Sequence, residues 1–142
     1  MTVPGACFAY IYGDDRVRID YRKARKWCAE GDREGNAKST TLLAETYLYG
    51  LGTPVDIDTA LAFYDKAAEA GQIHAQLMVY ILNNEYLADE GTPEQKRRGL
   101  AFLQQSAAAG YEKARIKLGQ ANASSDADKN KTEIPLDDGI KL

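Results

Sequence analysis

The chain has little of what histidine-based catalysis, metal binding or membrane insertion requires. Its 142 residues include one histidine, one tryptophan and two cysteines. A single histidine leaves few ways to build a histidine-based active site or a zinc site. No apolar run approaches the roughly 20 residues needed to cross a bilayer, so we expect no membrane insertion. The first residues lack the charged and apolar regions of a signal peptide, which fits either a cytoplasmic protein or a trimmed, mature form.

An excess of positive charge is also missing. The sequence has 18 basic and 21 acidic residues, a formal net charge of −3. Nucleic-acid binding usually depends on a basic stripe, so we expect no nucleic-acid partner. The densest basic segment is interleaved with acidic residues, and we interpret it as one solvated helix face. It consists of Arg16, Arg18, Arg22, Lys23, Arg25 and Lys26.

Proline is scarce, and the four prolines fall where helices begin or loops run. Apolar spacing and capping residues then predict seven helices in antiparallel pairs, a length suited to one domain. One helix runs from a cap at Asp20 to about Glu34, and another from Asp56 or Asp58 to Gly71. The other five cover residues 5–12, 37–49, 73–88, 94–109 and 112–122.

Three stretches of the sequence repeat one pattern. They begin at Ala24, Ala60 and Gly99, and each ends at a glycine eleven residues later, at positions 35, 71 and 110. A repeat of this length is typical of a solenoid, in which neighbouring units stack and share one core. Large packing side chains are expected at Trp27 and Phe63. Such a fold favours a binding surface over a reactive pocket.

The full pattern is clearest in the middle unit. It reads Leu43, Ala44, Tyr47, Gly50, Gly52, Asp56, Ala60, Phe63, Tyr64, Lys66, Ala67, Ala68 and Gly71. This resembles the Sel-one-like repeat, a relative of the tetratricopeptide repeat. The resemblance implies an all-α, right-handed α-solenoid over residues 1–122 that acts as an adaptor between proteins, with no reaction and no cofactor. It also favours an exported, for example periplasmic, location.

The units depart from this pattern at two places. The first has Gly31 and Asp32 where the second has two alanines, which predicts looser packing of its second helix. The third has Tyr80 and Asn83 at positions that are elsewhere small or tyrosine, and three extra residues before Gly91. Its first helix should therefore be longer or distorted.

The residues that could carry chemistry have simpler interpretations. His74 is matched by Lys38 and Lys113 in the other units, which indicates an exposed position and no catalytic or metal role. Asp56 and Asp58 lack the further ligands of a calcium loop, and helix capping accounts for them. We therefore predict no catalytic residue and no metal ligand.

The two cysteines leave two interpretations open. Cys7 and Cys28 lie on the two helices of the first pair, at positions where these helices pack together. They are either two small buried thiols or a disulfide that links the pair. The second alternative requires an oxidising compartment.

The predicted binding surface is the inner face formed by the first helix of each pair. Its aromatic, aliphatic and charged side chains suit an extended peptide or a partner helix. We expect some of them to pack against neighbouring units instead. The predicted binding residues are Tyr12, Lys38, Thr41, Glu45, Tyr49, Leu77, Ile81 and Glu85.

The functional hypothesis is a protein-interaction module whose partner is another protein or a peptide, in an oligomeric state left open. Two alternatives are an inhibitor or immunity partner of a secreted toxin and, from another class, a hydrolase of cell-wall material. Residues 123–142 form a polar tail that ends in an apolar segment. Two interpretations of this segment stay open. Either it docks on an apolar groove of its own or of a neighbouring molecule through Ile134, Leu136, Ile140 and Leu142, or it belongs to a free tail.

Overall fold

The structure, a computed structural model, describes residues 1–125. Over that range the chain forms seven α-helices and no strand, which confirms the predicted all-α solenoid of helix pairs. The predicted apolar segment at the end of the tail lies outside the described residues. The helices are α1 (Val3–Tyr12), α2 (Tyr21–Arg33), α3 (Ala37–Tyr49), α4 (Ile57–Glu69), α5 (Ile73–Tyr80), α6 (Pro93–Ala108) and α7 (residues 112–125).

Matching aspartates begin the second helices of the first two units. The side chain of Asp20 accepts a hydrogen bond from the Lys23 amide at 3.0 Å, and Asp56 accepts one from the Thr59 amide at 3.1 Å. Asp56, and not Asp58, is therefore the cap of α4. In the third unit Thr92 takes this place at the start of α6, in a reciprocal capping box with Gln95.

Three glycines turn the chain from one helix pair to the next. Gly35, Gly71 and Gly110 have φ angles of 84°, 91° and 91°, in the left-handed region that side chains disfavour. Each helix packs against the next along the chain, and α1 also contacts α3. The first helices α1 and α3 thus lie side by side, and Thr41 of α3 contacts Gln72 at the start of α5, which is the arrangement that creates an inner face.

The core is divided among the stacked pairs. The middle cluster surrounds Tyr64, whose side chain is completely buried among alanines of α3, α4 and α5. Phe63, next to it, is only half-buried at the edge of this cluster. Trp27 is 37% exposed, so the prediction that it is a buried packing residue is wrong. The reason is that Cys28, not Trp27, occupies the position equivalent to Tyr64.

Gly31 packs more tightly than the sequence predicts. It is buried, and a Cβ atom added to it would overlap the Oγ and Cβ atoms of Ser39 on α3. The expectation of looser packing at Gly31 is therefore wrong, because the missing side chain lets α2 and α3 approach each other. Asp32 adds to this contact. Its carboxylate accepts a hydrogen bond from the Thr40 hydroxyl at 2.7 Å and another from the ammonium group of Lys66 on α4 at 2.8 Å.

We expect Gly31→Ala to lower the free energy of unfolding by about 1–3 kcal/mol, because the new methyl group overpacks the α2–α3 contact. Urea unfolding followed by circular dichroism measures this. Gly119→Ala is the matched control, since Gly119 lies in α7 with open space around it. There alanine should raise stability by up to about 1 kcal/mol through helix propensity. An equal gain in the free energy of unfolding in both variants would contradict the close approach of α2 and α3 at Gly31.

The first helix of the third unit is distorted, as predicted. α5 ends at Tyr80 and continues as a π-helical turn, Ile81–Tyr86. The side-chain amide of Asn84 in this turn donates to the Lys96 carbonyl at 2.9 Å. Gly99 of α6 packs directly against Asn84 and Tyr80, with no room for a side chain. The extra residues are thus absorbed by a widened helical turn held against α6.

Candidate functional site

Half of the predicted binding residues meet in one cavity. Tyr12 of α1 and Lys38, Thr41 and Glu45 of α3 line a space of about 250 Å³. We call this space the α1–α3–α5 cleft. Its other lining residues are Phe8, Leu42, Gln72 and His74.

Helical spacing brings these side chains to one face. Lys38, Thr41 and Glu45 follow one another at intervals of three and four residues, and so lie along one side of α3. Phe8 and Tyr12 are four residues apart on α1, and their ring centroids are 4.6 Å apart. The floor between α3 and α5 is closed where the Thr41 hydroxyl approaches the side-chain oxygen of Gln72, which caps α5, at 3.1 Å.

Aromatic rings stand exposed around the cleft. Phe8 is 56% exposed, Tyr12 52% and Tyr49, one turn beyond Glu45 on α3, 63%. Large exposed rings on neighbouring helices are uncommon on a free surface and typical of binding sites.

His74 is not the freely exposed residue that the sequence predicts. Its Nε2 atom lies 3.3 Å from a carboxylate oxygen of Glu45, and its Nδ1 atom 2.9 Å from the Tyr111 hydroxyl. The side chain is 29% exposed and that of Glu45 only 15%. The three residues belong to three successive units, so this chain of contacts forms only when the units stack. Alignment with Lys38 and Lys113 could not reveal it.

Glu45 is the electrostatic centre of the cleft. Burial is the largest cause that raises the pKa of the Tyr12 phenol, and the negative charge of Glu45 is the second. The same two causes raise the pKa of Tyr111. Burial, and to a smaller extent the charge of Glu45, also raise the pKa of Tyr64 well above its ordinary value. The Tyr64 hydroxyl is buried and has no hydrogen-bond partner within residues 1–125. Three phenols, from α1, from α4 and from the residue before α7, therefore experience one carboxylate.

The predicted residues of the third unit lie apart from the cleft. Leu77 is 4% exposed and belongs to the core with Leu103 and Ala114, so the prediction that it lines a binding face is wrong. Ile81 is half-buried in the π-helical turn and packs against the core. Glu85 is exposed, but its carboxylate pairs with Lys117 of α7 at 3.1 Å. Ile81 and Glu85 belong to the π-helical turn, whereas Leu77 precedes it in α5.

Cys7 and Cys28 are bonded in the structure, with their Sγ atoms 2.05 Å and their Cα atoms 4.6 Å apart. Both side chains are completely buried. The bond ties α1 to α2 directly behind Phe8, and so fixes the helix that carries two of the aromatic residues of the cleft.

A second concave surface is lined by residues of α2, α3 and α4. They include Arg22, Lys26 and Arg33 of α2, Tyr47 of α3 and Phe63 of α4. The guanidinium group of Arg25 lies over the Tyr47 ring, 4.9 Å from the ring centroid. Part of the basic segment is thus engaged in packing as well as facing solvent.

The comparisons with known proteins agree with the repeat pattern. A family model described as "Sel1 repeat" matches residues 5–30, 37–72 and 85–111. The crystal structure of a Sel1 repeat protein from Oxalobacter formigenes superimposes with a TM-score of 0.71 at 21% sequence identity. The match covers 83% of this chain and 46% of that protein, so the chain spans less than half of its length. At this identity the likeness concerns the fold.

None of the helices within residues 1–125 is long and apolar enough to cross a membrane.

Proposed function

Because the chain belongs to the Sel1 repeat family, whose repeats build helical scaffolds that bind other proteins, we propose that it is an interaction module. In this proposal it holds a polypeptide of a partner protein in the α1–α3–α5 cleft. The observation that carries the proposal is the group of exposed rings of Phe8, Tyr12 and Tyr49 beside a cleft of about 250 Å³. Aromatic anchors around a concave surface supply much of the affinity of protein interfaces.

The arrangement of the polar groups favours binding over catalysis. The ring nitrogens of His74 contact Glu45 and Tyr111, and neither partner is a serine, threonine or cysteine that the imidazole could activate. The Thr41 hydroxyl, which a base would have to activate, lies 2.9 Å from the Ala37 carbonyl and is engaged there. A nucleophile and a base would need to lie within hydrogen-bond reach of each other, so this geometry supports a non-catalytic module.

The disulfide supports a location outside the reducing cytoplasm. Disulfides persist in secreted and periplasmic proteins and are rare where thiol systems keep cysteines reduced. We therefore propose that this module works in an oxidising compartment, where the Cys7–Cys28 bond holds α1 in place.

We expect Tyr12→Ala and Tyr49→Ala each to weaken partner binding about tenfold or more, since each removes a large exposed anchor. A photo-crosslinking amino acid at position 49 in living cells, followed by mass spectrometry, identifies the partner. Calorimetry with the purified partner then gives the dissociation constants.

Trp27→Ala is the matched control. Trp27 is an exposed aromatic residue on α2 that does not line the cleft. Its replacement should leave affinity within about twofold of the parent, since contacts outside an interface contribute little. Crosslinking that is equally efficient from positions 27 and 49, or a loss of affinity only in Trp27→Ala, would contradict the assignment of the cleft.

A further inference from the structure

We infer that the α1–α3–α5 cleft binds a lysine or arginine side chain of the partner polypeptide, with Glu45 as its counter-ion. This inference rests on the proposed function and adds the chemistry of the residue recognised.

The first support is a carboxylate without a fixed cation. Glu45 is 15% exposed, and within residues 1–125 its one charged-group contact is with His74. The Tyr12 phenol also hydrogen-bonds to Glu45, but it is a neutral group and supplies no positive charge. When the imidazole is neutral, the Tyr111 hydroxyl donates to Nδ1 and the Nε2 proton donates to Glu45, which leaves the carboxylate charge in place. Lys38 lines the cleft but forms no ion pair with Glu45. A largely buried charge is costly unless a partner of opposite sign is supplied.

The second support is the aromatic surround. The rings of Phe8 and Tyr12 border the cleft. Tyr49 lies close enough to Tyr12 to contribute to the raised pKa of the Tyr12 phenol, although burial and Glu45 are the larger causes. Cations bind favourably over aromatic faces, and the long stems of lysine and arginine pack on apolar surface. A guest cation would therefore meet rings along its stem and a carboxylate at its end.

The size and the ligand set favour a side chain over other cations. A space of about 250 Å³ is below the usual range for a whole small-molecule ligand. A divalent metal would need several oxygen or nitrogen ligands. Residues 1–125 contain no group of three or more histidine, cysteine, aspartate or glutamate side chains that could hold one. An anionic guest would meet Lys38, which is exposed, but it would approach the largely buried Glu45 against its charge.

The test titrates the ¹⁵N-labelled chain of 142 residues with synthetic hexapeptides that are identical except for one central residue, either lysine, arginine, norleucine or glutamate. Amide chemical shifts give both the affinity and the location of binding. We expect the lysine and arginine peptides to bind about tenfold more tightly than the norleucine peptide, and the glutamate peptide most weakly. The shifts should centre on Tyr12, Glu45 and His74.

Glu45→Gln should remove the preference for lysine over norleucine while preserving the amide spectrum outside the cleft. Glu90→Gln is the matched control, since Glu90 is an exposed carboxylate outside the cleft; it should keep the preference. Equal affinity for lysine and norleucine peptides at the cleft, or a preference that survives Glu45→Gln, would overturn the inference and leave the proposed function standing. Binding only outside the cleft, or no binding of any peptide, would overturn both. Peptide-induced shifts in residues 126–142 would assign the cleft to the chain's own segment and overturn the partner assignment.

Discussion

Tyr64→Ala is expected to lower the free energy of unfolding by about 3–5 kcal/mol, the range found for removing a fully buried aromatic side chain. Tyr64 is completely buried in the middle core cluster, where α3, α4, α5 and α6 contribute side chains. Its loss would leave a cavity in a cluster with five alanines, whose methyl groups cannot extend to refill it. Chemical denaturation of the purified variant measures the effect.

Two further variants separate the contribution of the buried Tyr64 ring from that of its neighbour Phe63 and from that of the Tyr64 hydroxyl. Phe63→Ala should cost clearly less, because Phe63 is half-buried. Tyr64→Phe should leave stability unchanged or raise it by about 1 kcal/mol, since it removes a buried hydroxyl that has no partner within residues 1–125. If Tyr64→Ala were less damaging than Phe63→Ala, the assignment of Tyr64 as the central packing residue would be wrong.

Loss of the Cys7–Cys28 bond is the second large expected effect. The cysteines are 21 residues apart in sequence, and a crosslink over a loop of this length typically contributes about 2–4 kcal/mol by restricting the unfolded chain. Reduction with a phosphine should therefore lower the free energy of unfolding by this amount. The Cys7→Ala/Cys28→Ala double variant should lose a similar amount and, in addition, the packing of two buried sulfur atoms.

The double variant also provides the control for reduction. Phosphine should not change its stability, because it has no remaining cysteine. Mass spectrometry of the unreduced protein, made in an oxidising compartment, should show a mass two hydrogens below that of the reduced form. A protein that is fully reduced there, or one whose stability phosphine does not change, would contradict both the bond and the proposed compartment.

Loss of the bond should affect the structure of the binding cleft as well as the free energy of unfolding. Phe8 directly follows Cys7 on α1, and Tyr12 is one turn further along the same helix. Within residues 1–125 α1 contacts α2 and α3, and the bond is its covalent link to α2, so its position depends on that link. In the reduced protein we therefore expect the aromatic side of the cleft to be held less firmly.

The sequence by itself determined the helices, most of their ends and the repeat. Caps such as Asp20 and Asp56 and left-handed glycines such as Gly71 act within a few residues of their own position, so their effect is visible locally. The spacing of the repeat then indicates stacking, because each unit alone leaves its apolar face uncovered. The distortion of the third unit was also predictable, since extra residues in a fixed repeat must be absorbed somewhere.

Only the tertiary structure decided which of the inner-face side chains meet. Position in the repeat placed Leu77 and Thr41 on equivalent helices, yet Leu77 belongs to the core while Thr41 lines the cleft. The tight approach at Gly31 depends on Ser39 of the next helix, and the partners of His74 come from the units before and after its own. These outcomes depend on distances between residues far apart in sequence, which are set by how closely successive helix pairs pack. A single sequence carries the pattern of each unit but not that distance.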